Sequence, residues 1–223
     1  AINQQGTQVD LALINGALEL SDQAALKLGD DIRRVSGIDN PNSVAQLKQW
    51  LSDQLGKDID KLGKEAVNEL LEAQQVKANP AVYYVLKKRK EMAKSSVKKY
   101  TAMENAVCKD GRVRGLLQFY GANRTGRWAG RLVQVQNLPR NYIPELSLAR
   151  NLVKQENAAM LELTYGSLPD TISQLIRTAF VPRDGYEFVV ADFSAIEARV
   201  ISWLAGEDWR LEVFRTHGKI YEA

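Results

Sequence analysis

Asp192 closes a compact apolar run, Phe188-Val189-Val190-Ala191, just before a helical pattern that begins near Ser194. A carboxylate at the end of a buried strand, at the mouth of a helix, is costly unless it is paired or bound to a cation. The competing reading is a helix-start acid that favours the macrodipole. Glu197 has two readings as well. Ser194-x-x-Glu197 has the spacing of a capping box, in which the glutamate holds the amide of Ser194. A glutamate in a first helical turn can also face a ligand, and both readings hold if the helix start lines a site.

A second constellation is basic and rich in amides. Gly121-Ala122-Asn123-Arg124-Thr125-Gly126-Arg127-Trp128 is small, polar and basic. Its glycines let a backbone approach closely, and its arginines supply forked donors for phosphate or base edges. Gln134, Gln136 and Asn137 follow, with side-chain amides suited to minor-groove acceptors. Upstream, Lys87, Lys88, Arg89, Lys90, Lys94, Lys98 and Lys99 crowd one stretch. Residues 77–140 hold 15 Lys+Arg against 3 Asp+Glu, a net of +12, in a chain whose overall charge is +3. A basic block in an otherwise acidic chain is an electrostatic footprint for a polyanion; the alternative is a solvated helix face.

Composition sets the outer limits. With 223 residues, 45% hydrophobic and 26% charged, the chain can form one large domain or two small ones. The apolar fraction excludes a wholly disordered chain, and no stretch reaches the roughly 18 uninterrupted apolar residues of a membrane helix. The single cysteine, Cys108, excludes an internal disulfide and a Cys-based zinc site, fits a reducing compartment, and reads as a small packing residue. The single histidine, His217, reads as a surface or partly buried residue rather than a catalyst. The chain opens on Ala1 with no signal peptide, as expected of a piece cut from a longer protein.

The elements that must position these groups follow from periodicity. Ser21 or Asp22 can cap a helix towards Val35, stopped by Gly37. Asn40-Pro41-Asn42-Ser43 reads as a turn and cap before the stripe Leu47, Leu51, Leu55, with Gly56 as the stop. A short helix over residues 64–73 turns Val67, Leu70 and Leu71 inward. Asn79-Pro80 starts a run free of Gly and Pro to Ala106, with Val82, Leu86, Ala93, Val97 and Tyr100 on one face. As one helix it would be about 40 Å long. Lys109-Asp110-Gly111 reads as a turn between short strands, residues 113–120 as extended, and 121–140 as loop. Residues 144–165 return to helix, Pro169-Asp170-Thr171 starts another, and 187–192 read as a buried strand. The helix from Ser194 stops at Gly206, with Trp203 and Trp209 expected in the core behind it. Helices first, then mixed elements, make the class α+β.

Several ordered motifs resemble those of family A DNA polymerases, the DNA polymerase I type, over roughly residues 40–223. Asp192-Phe193-Ser194-Ala195-Ile196-Glu197-Ala198-Arg199 is similar to that family's first catalytic motif, D-Y-S-Q-I-E-x-R. Thr125-Gly126-Arg127 followed by Gln136-Asn137-Leu138-Pro139 resembles its T-G-R…Q-N-I-P block, and Arg177-Thr178-Ala179-Phe180 the segment leading to the catalytic strand. The lysine-rich helix resembles the thumb helix, and the whole looks like a phage or prophage member. The resemblance implies a helical thumb followed by part of a palm with an antiparallel sheet. Residues 1–41 would be a lead-in to palm and thumb, 42–110 the thumb, and 111–223 a partial palm with a helical insert at 141–176.

It also implies roles. Asp192 would bind two catalytic Mg2+ ions, helped by the Phe193 carbonyl, and Glu197 would be the steric gate against a ribose 2′-OH. Tyr221 stands where many members have His, beside the nucleotide. Arg127 would contact the minor groove at the primer end, and Gln136 and Asn137 the duplex nearby. Arg124, Thr125, Arg140, Lys94, Lys98 and Lys99 would add DNA contacts. The implied partners are primer–template DNA and deoxynucleoside triphosphates, in a monomeric enzyme of the bacterial cytoplasm, with no membrane. Phe193 and Ala195 depart from the motif's Tyr and Gln. The second catalytic aspartate and the fingers would follow Ala223, and residues 1–40 are too few for a proofreading domain. The chain by itself is therefore expected to bind DNA without extending a primer. The rival expectation is a non-catalytic nucleic-acid-binding helical module.

Overall fold

The computed structural model describes residues 2–92 and 97–218. It divides into two compact units, Ala1–Pro182 and Arg183–Ala223. The first is helical with small antiparallel sheets. It opens with α1 (Ile2–Gln5), β1 (Thr7–Val9) and α2 (Leu11–Ser36). Then come α3 (Val44–Leu55), α4 (Lys64–Glu72), α5 (Gln74–Lys77), α6 (Pro80–Met92) and α7 (Val97–Ala106). Short strands β2 (Arg112–Val113), β3 (Leu117–Ala122) and β4 (Arg127–Gly130) precede a 3-10 turn at Val135–Asn137. Finally α8 (Leu146–Lys154), α9 (Ala158–Tyr165) and α10 (Leu168–Leu175) lead through a second 3-10 turn, Ile176–Ala179, into β5 (Phe180–Val181). The second unit contains α11 (Ile196–Leu204) and α12 (Asp208–Thr216).

Helix α2 starts at Leu11, ahead of the expected cap at Ser21 or Asp22. Its cap is Asp10, whose Oδ1 accepts from Leu13 N at 3.1 Å. Ser21 lies buried inside the helix, its hydroxyl donating back to Ala17 O at 2.6 Å. A serine that back-bonds within a helix carries the same composition as a cap, so the sequence pattern could not separate them. Gly37 ends the helix as expected, at φ +70.

Two apolar cores form along α2. Leu13, Ile14, Ala17 and Leu20 share one with Tyr100 and Met103 of α7, Val153 of α8 and Ile172 of α10. Ile32 belongs to the other, with Leu47, Leu51 and Leu55 of α3, Val67 and Leu71 of α4, and Val82, Val85 and Leu86 of α6. Leu70 packs half-buried against that second core. Ser43 and Asn79 cap α3 and α6 as their sequences imply. Tyr100 is fully buried and donates its hydroxyl to Ile172 O at 2.8 Å; burial pushes its phenol well above the ordinary range. Lys94 and Ala93 lie outside the described residues, so the expected 40 Å helix is seen as α6 and α7, both packed on α2.

Three strands form one sheet in the order β2-β1-β5, all antiparallel. The turn at Lys109-Asp110-Gly111 closes as expected, with Gly111 N donating to Cys108 O at 2.9 Å. Cys108 is exposed rather than packed, because the turn carries it off the core. Residues 121–130 are not a loop. They belong to the β3–β4 hairpin, which lacks apolar alternation because both of its faces are largely solvated.

The second unit overturns two expectations. Residues 187–192 form no strand, and Val189 and Val190 are 86% and 90% exposed. A strand needs a neighbour for its N–H and C=O groups, and among the described residues none pairs with this segment. Trp203 and Trp209 are exposed, not core. Among the described residues no helix is long and apolar enough to cross a membrane.

Candidate nucleic-acid interface and acidic motif

The hairpin presents the first group of candidate residues. Thr125 N and Gly126 N both donate to Ala122 O, at 3.0 and 2.8 Å, and Gly126 takes φ +66, so the chain reverses tightly there. Arg124 and Thr125 are exposed in the turn, and Arg127 is exposed at the start of β4. The hairpin's root is held by Asn3, whose amide pairs with Leu117 like a strand neighbour. Its Nδ2 donates to Leu117 O at 2.6 Å, and its Oδ1 accepts from Leu117 N at 3.1 Å.

Gln136 and Asn137 lie on the 3-10 turn and are exposed. Gln136 packs onto Gly130 of β4 so closely that a Cβ there would sit 1.9 Å from its Oε1. The missing side chain of Gly130 is thus the seat of the Gln136 amide. Val133 and Leu138 anchor the segment in the core. Lys99 of α7 donates to Val133 O at 2.7 Å and reaches Gln134 Oε1 at 3.5 Å, so its ammonium braces this segment. Arg177 donates to Leu138 O and Pro139 O at 2.7 and 2.8 Å. Arg140 is exposed just beyond, and Lys98 is exposed on α7. The structure therefore ties the hairpin, the turn with Gln136 and Asn137, and α7 into one braced surface.

In the second unit, Asp192 and Phe193 are exposed on the irregular segment before α11. The capping box does not form at Ser194. The cap position of α11 is Ala195, at φ +50, with no side-chain oxygen to offer. Glu197 is exposed in the first turn. Arg199 holds the motif's shape. Its Nε donates to Ser194 O at 2.8 Å, and its guanidinium lies 4.4 Å from the ring centroid of Phe214 on α12. Tyr221 lies outside the described residues. The donors Asp192 and the Phe193 carbonyl are hard oxygens of the kind Mg2+ takes. Among the described residues, however, no group of three or more His, Cys, Asp or Glu could hold a metal ion. The donor type fits and the number does not.

Sequence reasoning missed the seat at Gly130 and the bracing roles of Arg177 and Arg199. The first has no sequence signal, since it depends on a glycine and a glutamine meeting in space. The second had a weak one: Pro139 leaves carbonyls outside any ladder, and such groups need a donor.

The family model for "DNA polymerase family A" matches residues 16–223. The chain belongs to that family. It is 57% identical over 222 residues to the "DNA polymerase" of Bacillus phage SP02, covering 100% of this chain and 34% of the relative. It is 26% identical to the "DNA polymerase I, thermostable" of Thermus thermophilus and 25% identical to that of Thermus aquaticus. Each of these matches covers 94% of this chain and 22% of the relative. The chain thus spans about a third or less of the length of these relatives. No solved structure gives a significant match.

Proposed function

We propose that this chain is the thumb and part of the palm of a DNA-directed DNA polymerase, which adds deoxynucleotides to a primer 3′ end on a DNA template. The observation that carries the reading is the family match across residues 16–223, with the motif Asp192–Arg199 inside it. In this reading the helices α3 to α7 form the thumb, and the hairpin with the 3-10 turn forms the palm surface that meets duplex DNA. Arg127 contacts the minor groove near the primer end, and Gln136, set by Gly130, reads acceptors there with Asn137. Arg124, Thr125, Arg140, Lys98 and Lys94 meet the backbone, while Lys99 acts through the segment it braces. Asp192 and the Phe193 carbonyl would offer oxygen ligands to Mg2+ as part of a larger donor set, and Glu197, with Tyr221, would border the nucleotide sugar. No catalytic step is assigned to this chain alone, because its described donors do not complete a two-metal site. The bacterial cytoplasm is the setting this reading carries, supported by the phage relative.

Fluorescence anisotropy with a labelled primer–template duplex, titrated at several salt concentrations, tests the reading. The expected result is affinity that falls steeply with salt and favours a primer–template junction over single strand, with about 0.9 in log–log slope for each phosphate neutralised. Salt-steep binding without junction preference would favour the non-catalytic binding module instead. No binding by folded protein would overturn both.

A further inference from the structure

The β3–β4 hairpin carries three exposed aromatic side chains that the proposed polymerase contacts do not use. Phe119, Tyr120 and Trp128 are 72%, 57% and 51% exposed. Exposed rings in such number are unusual on a solvated hairpin and mark a binding surface. Their arrangement is built. Gln118 faces Ala129 across the ladder, so Phe119 and Trp128 come next along the two strands, and their rings meet edge to face with centroids 5.2 Å apart. The register then shifts by two residues before Ala122 faces Arg127. Tyr120 sits in that bulge at φ +53, a conformation rarely adopted by a tyrosine, and its ring lies against Gly126. Gly121 permits the bulge, since a Cβ there would stand 2.4 Å from the Cβ of Ala129.

The charge around these rings selects the occupant. Residues 111–144 contain six arginines, no lysine and no acid. Arg112 and Arg114 are engaged at the hairpin's base: Arg112 donates to Gly6 O, and Arg114 forms a two-pronged pair with Asp110 at 2.8 and 2.6 Å. Arg124, Arg127 and Arg131 are exposed on the hairpin and just after it. A guanidinium stacks on planar groups and grips phosphate with a fork, which an ammonium cannot do. A hydrophobic protein partner would gain nothing from an acid-free arginine rim, whereas a polyanion with flat apolar faces matches both features. In duplex DNA those faces are stacked away, so exposed rings can reach them only where bases are unpaired.

We propose that the Phe119–Trp128 pair, with Tyr120 beside it, is a stacking platform for unpaired bases of single-stranded DNA, whose phosphates are met by Arg124 and Arg131. The proposal deepens the polymerase reading and rests on its DNA-binding surface. It assigns single-strand contacts to the hairpin's aromatic face, apart from the minor-groove contacts at Gln136 and Arg127.

Anisotropy with three probes tests it: a labelled oligo-dT, an abasic oligomer of equal length, and a blunt duplex. The expected wild-type preference for oligo-dT over the abasic oligomer is about tenfold, the scale of base–aromatic stacking. Trp128→Ala and Phe119→Ala should each remove most of that preference and leave blunt-duplex affinity within about twofold. Trp128→Phe should restore it, since a ring is retained. Both positions are largely exposed, and circular dichroism confirms that each variant is folded; if one alanine variant unfolds, the other decides. A wild-type protein that binds the abasic oligomer as well as oligo-dT overturns the platform, as does equal loss on oligo-dT and blunt duplex. Loss of salt-dependent duplex binding in the wild type would instead count against the polymerase reading, and appears in a separate arm.

Discussion

Arg127, Gly130 and Asp10 each carry a consequence that one substitution exposes. Arg127→Ala should weaken binding at a primer–template junction by about tenfold, the scale of a good arginine contact to base edges. Binding to random single strands should fall less; equal loss in a competition titration would remove the minor-groove assignment. Gly130→Ala tests the seat of Gln136. The new Cβ meets the far end of a flexible side chain, so unfolding free energy should drop by less than about 1 kcal/mol. Duplex affinity should nevertheless fall as far as in Gln136→Ala, and the double substitution should be no worse than either single one, the signature of a shared contact. Asp10 caps α2 and pairs with Arg150 and Lys154, each at 2.6 Å. Burial opposes its charge, but the hydrogen bond from Lys154, the amide of Leu13 and the two cationic side chains prevail, and its carboxyl is held below the ordinary 3.8. Because the folded pKa is depressed, its contribution to stability is complete above the unfolded value and is lost as pH falls through the lower folded one. Asp10→Asn keeps a capping oxygen and removes the charge. It should cost about 1–3 kcal/mol at pH 7 in urea unfolding, and the gap from wild type should close below about pH 4.

At the scale of elements, the crossing of α2 and α8 depends on the absence of a side chain. A Cβ at Gly16 would stand 2.2 Å from the carbonyl oxygen of Val153, and backbone cannot step aside as a side chain can. Gly16→Ala should therefore destabilise the chain by about 2–3 kcal/mol, read as a lower urea midpoint at unchanged slope. In the sequence this glycine looks only like a weak point in a helix, since nothing local signals the backbone that packs against it. What the residues did reveal were features written in local chemistry: the Asn79-Pro80 start, the Ser43 cap, the leucine stripe of α3, and the stops at Gly37 and Gly56. What stayed hidden depended on distant partners. The bulged hairpin has no apolar alternation to announce it. Residues 188–190 have every mark of a buried strand but no described neighbour to complete a ladder. The basic and amide residues of the interface were legible by type, whereas their bracing by Lys99 and Arg177 arises only when α7 and the second 3-10 turn fold back beside them.

For the whole molecule, the expected behaviour is binding without synthesis. The 223-residue chain, supplied with Mg2+, deoxynucleotides and primed template, should give no extended product on a sequencing gel; extension free of other polymerases would show that its own groups suffice. Helix α2 has a mechanical meaning beyond its caps. Its 26 residues make a rod of about 39 Å, with one end in each of the two cores and no break between them. A rod clamped at one end is a lever. A tilt of about 10° at Leu13 would carry Ile32, about 28 Å away, and the helices packed on it, through about 5 Å, more than the rise of one base pair along a duplex.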